Sequence, residues 1–110
     1  MRKISQIQEK RIANNIGGRE VSNSGATKFD KGDIKSLEWL IEAKTKASSS
    51  RSMTIQREWL EKIKEEALAQ RKPYHAVAIS FDNKKDYFIL EDSFFYRLVK
   101  MLEQEEDGER

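Results

Sequence analysis

The stretch KGDIKSLEWLIEAKTK, residues 31–46, decides the architecture. Trp39 to Thr45 reads as a strand, so Trp39, Ile41 and Ala43 face one way while Leu40, Glu42 and Lys44 face the other. The neighbours Trp39, Leu40 and Ile41 place it centrally in a sheet, where an unpaired charge costs several kcal/mol. An acid and a base two residues apart on one face of such a strand therefore need a reason. The plain alternative is an edge strand whose charges form a cross-strand ion pair. Upstream, Asp33 opens a brief strand at Asp33 to Lys35, with a tight connection between the two.

Working outward, ISQIQEKRIANNI (4–16) places Ile4, Ile7, Ile12 and Ile16 at helical spacing and stops at Gly17-Gly18, as a short amphipathic helix does. Glu9 falls at the border of that apolar stripe. An extended piece over residues 19–22 leads into SNSGATKFDKGD, which has the composition of a mobile loop. Beyond the central strand, the serine-rich KASSSRSM is a loop in which Ser52 or Thr54 can cap a helix over 55–71. That helix turns Ile55, Trp59, Leu60, Ile63 and Ala67 inward, with Gln56 on the same side, and Pro73 ends it. YHAVAISF and DYFILE are strands joined as a hairpin by DNKK. Asp92 or Ser93 caps a last helix, FFYRLVKMLEQ, and EEDGER is expected to fray. The order αβββαββα predicts an α/β fold, a central mixed β-sheet flanked by helices, in a single domain over 1–110.

At 110 residues the chain supports one modest core. The absence of cysteine excludes disulfides and thiolate metal sites and suits a reducing cytoplasm. No apolar leader and no stretch of membrane-spanning length is present, so a cytoplasmic protein without a membrane partner is expected. Residues 1–57 hold twelve Lys or Arg against six Asp or Glu, and residues 58–110 hold nine against thirteen. The basic first part fits a polyanion such as DNA, because clustered cations release counterions from phosphates.

Glu9, Asp33 and Glu42 on one edge of a sheet would repel one another without a cation between them. Mg²⁺ supplies it, binding one or two carboxylates and keeping waters to share with phosphate oxygens, which suits phosphodiester hydrolysis. Lys44 would then orient the attacking water or stabilise charge on the phosphate. Gln56 would support substrate or water.

An acid, a spacer and then (D/E)-x-K, here Asp33 followed by Glu42-Ala43-Lys44, resembles the signature of the PD-(D/E)xK nuclease superfamily. Glu9 matches the acid of that superfamily's first helix, and Gln56 with Trp59 resembles its glutamine and nearby aromatic after the (D/E)-x-K strand. VSNSGATKFDKGD resembles the basic Ser-Gly-containing loop of archaeal-type Holliday junction resolvases. Small phage resolvases are similar throughout most of the chain. Gly32 stands where the superfamily has proline, and Asp30 is an alternative to Asp33 should the loop register differently. The resemblance implies a restriction-endonuclease-like core and Mg²⁺-dependent DNA cleavage, with Mn²⁺ as a substitute. Branched DNA and a C2 homodimer follow, since two symmetric cuts need two sites.

Arg2, Lys3, Ser24, Lys28, Lys31, Lys46 and Arg51 form the candidate DNA track. His75, single and before a core strand, reads as structural, and Trp59, Phe81, Phe88, Phe94 and Phe95 read as packing. A nicking or flap nuclease with the same site, and a catalytically silent DNA-binding module, are the competing readings.

Overall fold

The computed structural model describes residues 4–21 and 33–108, the side chains of 105–108 excepted. Its elements are α1 (Ile4–Ile16), β1 (Arg19–Glu20), β2 (Ile34–Lys35), β3 (Trp39–Thr45), α2 (Arg57–Ala69), β4 (Tyr74–Ser80), β5 (Tyr87–Ile89) and α3 (Asp92–Gly108). The strands make one mixed sheet in the order β1-β2-β3-β4-β5. β3 and β4 run parallel, joined through α2, and every other neighbouring pair is antiparallel. The expected α/β architecture, a central mixed sheet flanked by helices, is therefore what forms.

The alternation in β3 assigns the layers. Ile41 and Ala43 pack with Ile12 and Ala13 of α1, while Leu40 packs with Ile63 and Ala67 of α2. α1 and α2 thus cover opposite faces. β4 is buried from His75 to Ser80, the pattern of a strand covered on both sides. His75 has the structural place expected of it: it meets the Phe94 ring edge-on at 5.0 Å and lies 3.8 Å from Glu91 Oε1. Burial lowers its pKa, against the pull of Glu91.

α1 is rolled differently from the expected stripe. Its buried residues are Gln8, Glu9, Ile12 and Ala13, whereas Ile4, Ile7 and Ile16 are exposed. Two features set this roll. Beneath the helix the sheet presents Ala43, Ala76 and Ala78, a shallow surface on which Ala13 allows close approach. Polar anchors then hold the position. Gln8 Nε2 donates to Lys44 O (3.2 Å) and to Asp86 Oδ1 (3.2 Å). Arg11 grips Asp86 with Nε to Oδ2 (2.8 Å) and Nη2 to Oδ1 (2.7 Å), and donates from Nη1 to Asn83 O (2.8 Å). Such a forked, charge-assisted pair is stronger and more directional than a neutral bond.

The helix ends also depart from expectation. Gln56 is the N-cap of α2 but its side chain makes no capping bond, and neither Ser52 nor Thr54 stands at the cap. Glu58 in the first turn complements the helix dipole instead. Arg71 takes a positive φ of 57°, Lys72 N–H donates to Ala67 O (2.8 Å), and Pro73 follows. α3 begins at Asp92, whose Oδ1 accepts the Ser93 N–H (2.7 Å), and continues through residues expected to fray.

Phe94 packs against Trp39 and Tyr74, as expected. Phe88 and Phe95, expected in the core, are instead 46% and 55% exposed. Phe94 points from the first turn of α3 into the body, so Phe95, one helical step round, points away from it. Tyr96, Leu98, Met101 and Leu102 are exposed as well. Among the described residues, no helix is long and apolar enough to cross a membrane.

Candidate active site

The register between β2 and β3 builds the site. Ile34 pairs with Ile41, so Asp33 comes beside Glu42 on the face that α2 covers. The Asp33 backbone extends the ladder: its N–H donates to Ile41 O (3.0 Å) and its carbonyl accepts the Val21 N–H (2.9 Å). The side chain is fixed as well, with Oδ2 accepting the Ala43 N–H at 2.8 Å. One carboxylate is thereby held against the backbone of the strand that carries the other.

Glu42 answers it. Burial, then the hydrogen bond to Asp33 and the charge of Asp33, push the Glu42 carboxyl up to about 8, while Lys44 and Lys62 pull in the opposite sense. At neutral pH the Glu42 carboxyl therefore keeps its proton and faces Asp33. Its side chain is only 13% exposed.

Lys44, two residues along the same face, places Nζ 4.0 Å from Glu42 Oε1. The ammonium also lies 4.8 Å from the centroid of the Trp59 ring, in the first turn of α2. An indole face below and a carboxyl beside it seat the cation without burying it completely. A pair of oxygen donors that holds positive charge, here a proton, fits a hard divalent cation, which takes one or two carboxylates and completes its shell with water.

The structure brings Asp33, Glu42 and Lys44 together. Glu9 is buried, 8% exposed, but on α1, which covers the opposite face of the sheet. Among the described residues, no three of His, Cys, Asp and Glu are grouped to hold one ion. Gln56 lies in the connection just before α2 and is exposed, not on the inner side, because the helix starts one residue later and leaves it extended. Lys46 and Arg51 are exposed beyond the end of β3. Arg2, Lys3, Ser24, Lys28, Asp30 and Lys31 lie outside the described residues.

Three contributors escaped the sequence reading. Gln8 stands one helical row from Ile4 and Ile12, and that position was its signal. Lys62 acts on Glu42 from α2, and the packing role given to Trp59 did not include a seat for Lys44. Compared with known proteins, the chain matches no family model, no curated protein and no solved structure.

Proposed function

We propose that the chain is a cytoplasmic, Mg²⁺-dependent endonuclease with a restriction-endonuclease-like core, acting on branched DNA, with the four-way junction as substrate. The observation that supports this reading is the meeting of Asp33, Glu42 and Lys44 on one face, two carboxyls beside an ammonium group.

Asp33 and Glu42 would hold the metal. When bound, such an ion polarises a phosphate oxygen and lowers the pKa of water. Asp33 presents its second carboxylate oxygen while Ala43 N–H holds the first. Glu42 would have to give up its proton to water to serve as a ligand. Lys44, steadied by Trp59, donates from Nζ to a non-bridging phosphate oxygen or to the attacking water. Hydrolysis exchanges one P–O ester bond for a bond to the water oxygen, and a proton ends on the leaving alcohol.

A homodimer is part of the proposal. The surface that favours it is apolar: a groove of about 460 Å³ lined by Ile16, Trp39, Phe88 and Leu98, continued by the exposed Phe95 and Met101 of α3. Such a face on an isolated domain marks a partner surface. The occupant we commit to is a second copy, since symmetric cutting needs two sites.

The test is incubation with a labelled four-way junction, a flap and a linear duplex, each with Mg²⁺ and with EDTA. Cleavage of the junction in Mg²⁺ alone is expected. Preference for the flap would favour the nicking or flap reading, and binding without cleavage the silent DNA-binding module. In sedimentation the wild type should run as a dimer, and Leu98→Asp with Met101→Asp as a monomer. A wild type that stays monomeric at tens of micromolar would remove the dimer.

A further inference from the structure

Resting on the nuclease reading, we infer that the cleft formed by Arg19, Lys35 and Lys72 at the β1 end of the sheet anchors a backbone phosphate of the DNA strand entering the site. None of these residues belongs to the expected DNA track.

The cleft, about 460 Å³, lies where the end of α1, β1 and the β2–β3 turn meet. Arg19 and Lys35 are register partners of antiparallel strands, so their side chains leave the sheet on one face. Asp33 is two residues from Lys35 along the same strand direction and shares that face, about 6.6 Å away at strand rise. The cations therefore begin one strand repeat from the carboxyl pair. α2 packs chiefly on β3 and β4, and its C-terminal end reaches β2 at Gln70, whose Oε1 accepts from Lys35 Nζ at 3.5 Å and holds that ammonium beside the cleft.

Lys72 closes the far side. Its Nζ donates to Ser36 O (2.7 Å) and Leu37 O (3.0 Å), which fixes the ammonium at the rim with the turn it braces. Gly17 and Gly18 also line the cleft. A side chain at Gly18 would put its Cβ 2.6 Å from Lys35 O, so the backbone here is bare because β2 passes too close to admit one. Three cations beside bare backbone suit a phosphodiester, which offers charge and acceptors but little apolar surface.

The experiment measures DNA binding by the full chain in EDTA, where no cleavage intervenes, as a function of salt. Each phosphate contact on duplex DNA contributes about 0.9 to the slope of log K against log salt. Arg19→Ala/Lys35→Ala should flatten the slope by about one to two such contacts and weaken binding roughly fivefold to thirtyfold at ~0.15 M salt. Lys10→Ala/Lys100→Ala removes the same charge from exposed positions of α1 and α3 and should leave the slope unchanged. An equal effect in both pairs, or none in the first, overturns the cleft. Should the alanine pair unfold, Arg19→Gln/Lys35→Met keeps the stems and must show the same flattening. A wild type that binds no DNA sinks the nuclease reading itself. A wild type that binds and cuts, with the cleft pair keeping its slope, sinks the cleft alone.

Discussion

Asp33→Asn and Lys44→Met are each expected to leave a folded protein that binds DNA and to lower cleavage by a factor on the order of 10²–10⁴, the range for removing a positioned proton-transfer or charge-stabilising group. The fold should survive both. An asparagine in place of Asp33 still offers a carbonyl oxygen to the Ala43 N–H, so the anchor at the edge of β3 remains. What it loses is charge, and with it one of the two oxygens proposed for the metal. A methionine in place of Lys44 keeps an unbranched stem against Trp59 but no ammonium. Single-turnover cleavage of the junction in Mg²⁺, with binding measured separately in EDTA, separates loss of chemistry from loss of substrate. Full cleavage by either variant would refute the role given to that residue.

The second large effect is on stability against pH. The folded Glu42 carboxyl holds its proton up to about 8, and its ordinary value is 4.5. Between those values folding takes up a proton. The stability contributed by the neutral carboxyl is therefore present in full below about 4.5, falls as pH rises, and is gone above about 8. The loss across this window is on the order of a few kcal/mol, at about 1.4 kcal/mol per pH unit. In thermal unfolding with EDTA, the wild type should lose Tm from pH 5 to pH 8.5. Glu42→Gln, whose amide is uncharged and donates to Asp33 in place of the acid, should lack this loss and be the more stable protein at pH 8.5, leaving only the rise that the depressed His75 contributes. Parallel curves for the two proteins would show that Glu42 is not the buried acid that sets the slope.

A buried acid facing a second carboxyl is what the proposed function would require at this position, and it costs stability. A central strand with an apolar residue at position 42 would be more stable, since the fold spends desolvation energy on a carboxyl facing another carboxyl.

Much of this was legible along the chain. The alternation of WLIEAKT assigned Glu42 and Lys44 to one side, and the structure keeps that assignment: the two meet at 4.0 Å. Gly17-Gly18 and Pro73 marked where α1 and α2 give way, because backbone freedom at glycine and the missing N–H of proline act within a few residues. The hairpin DNKK and the order of elements were legible for the same reason. Gln56 was misplaced because the helix caps at Gln56 itself, two residues beyond Thr54, and a cap residue is extended. α1 was given the wrong face because three isoleucines outweighed Gln8 in a count of apolar spacing.

Sequence by itself determined the elements, their order and which side of β3 carries charge, since these follow from side-chain periodicity and turn chemistry over a few residues. Tertiary structure alone decided that Asp33 meets Glu42, through the Ile34–Ile41 register, that Lys44 sits over Trp59, and that Gln8 and Arg11 close on Asp86 from the far side of the chain. Those contacts join groups far apart in the chain, and their energy exists only after the sheet has paired and the helices have settled on it. No local pattern encodes a pairing register that many distant side chains set together.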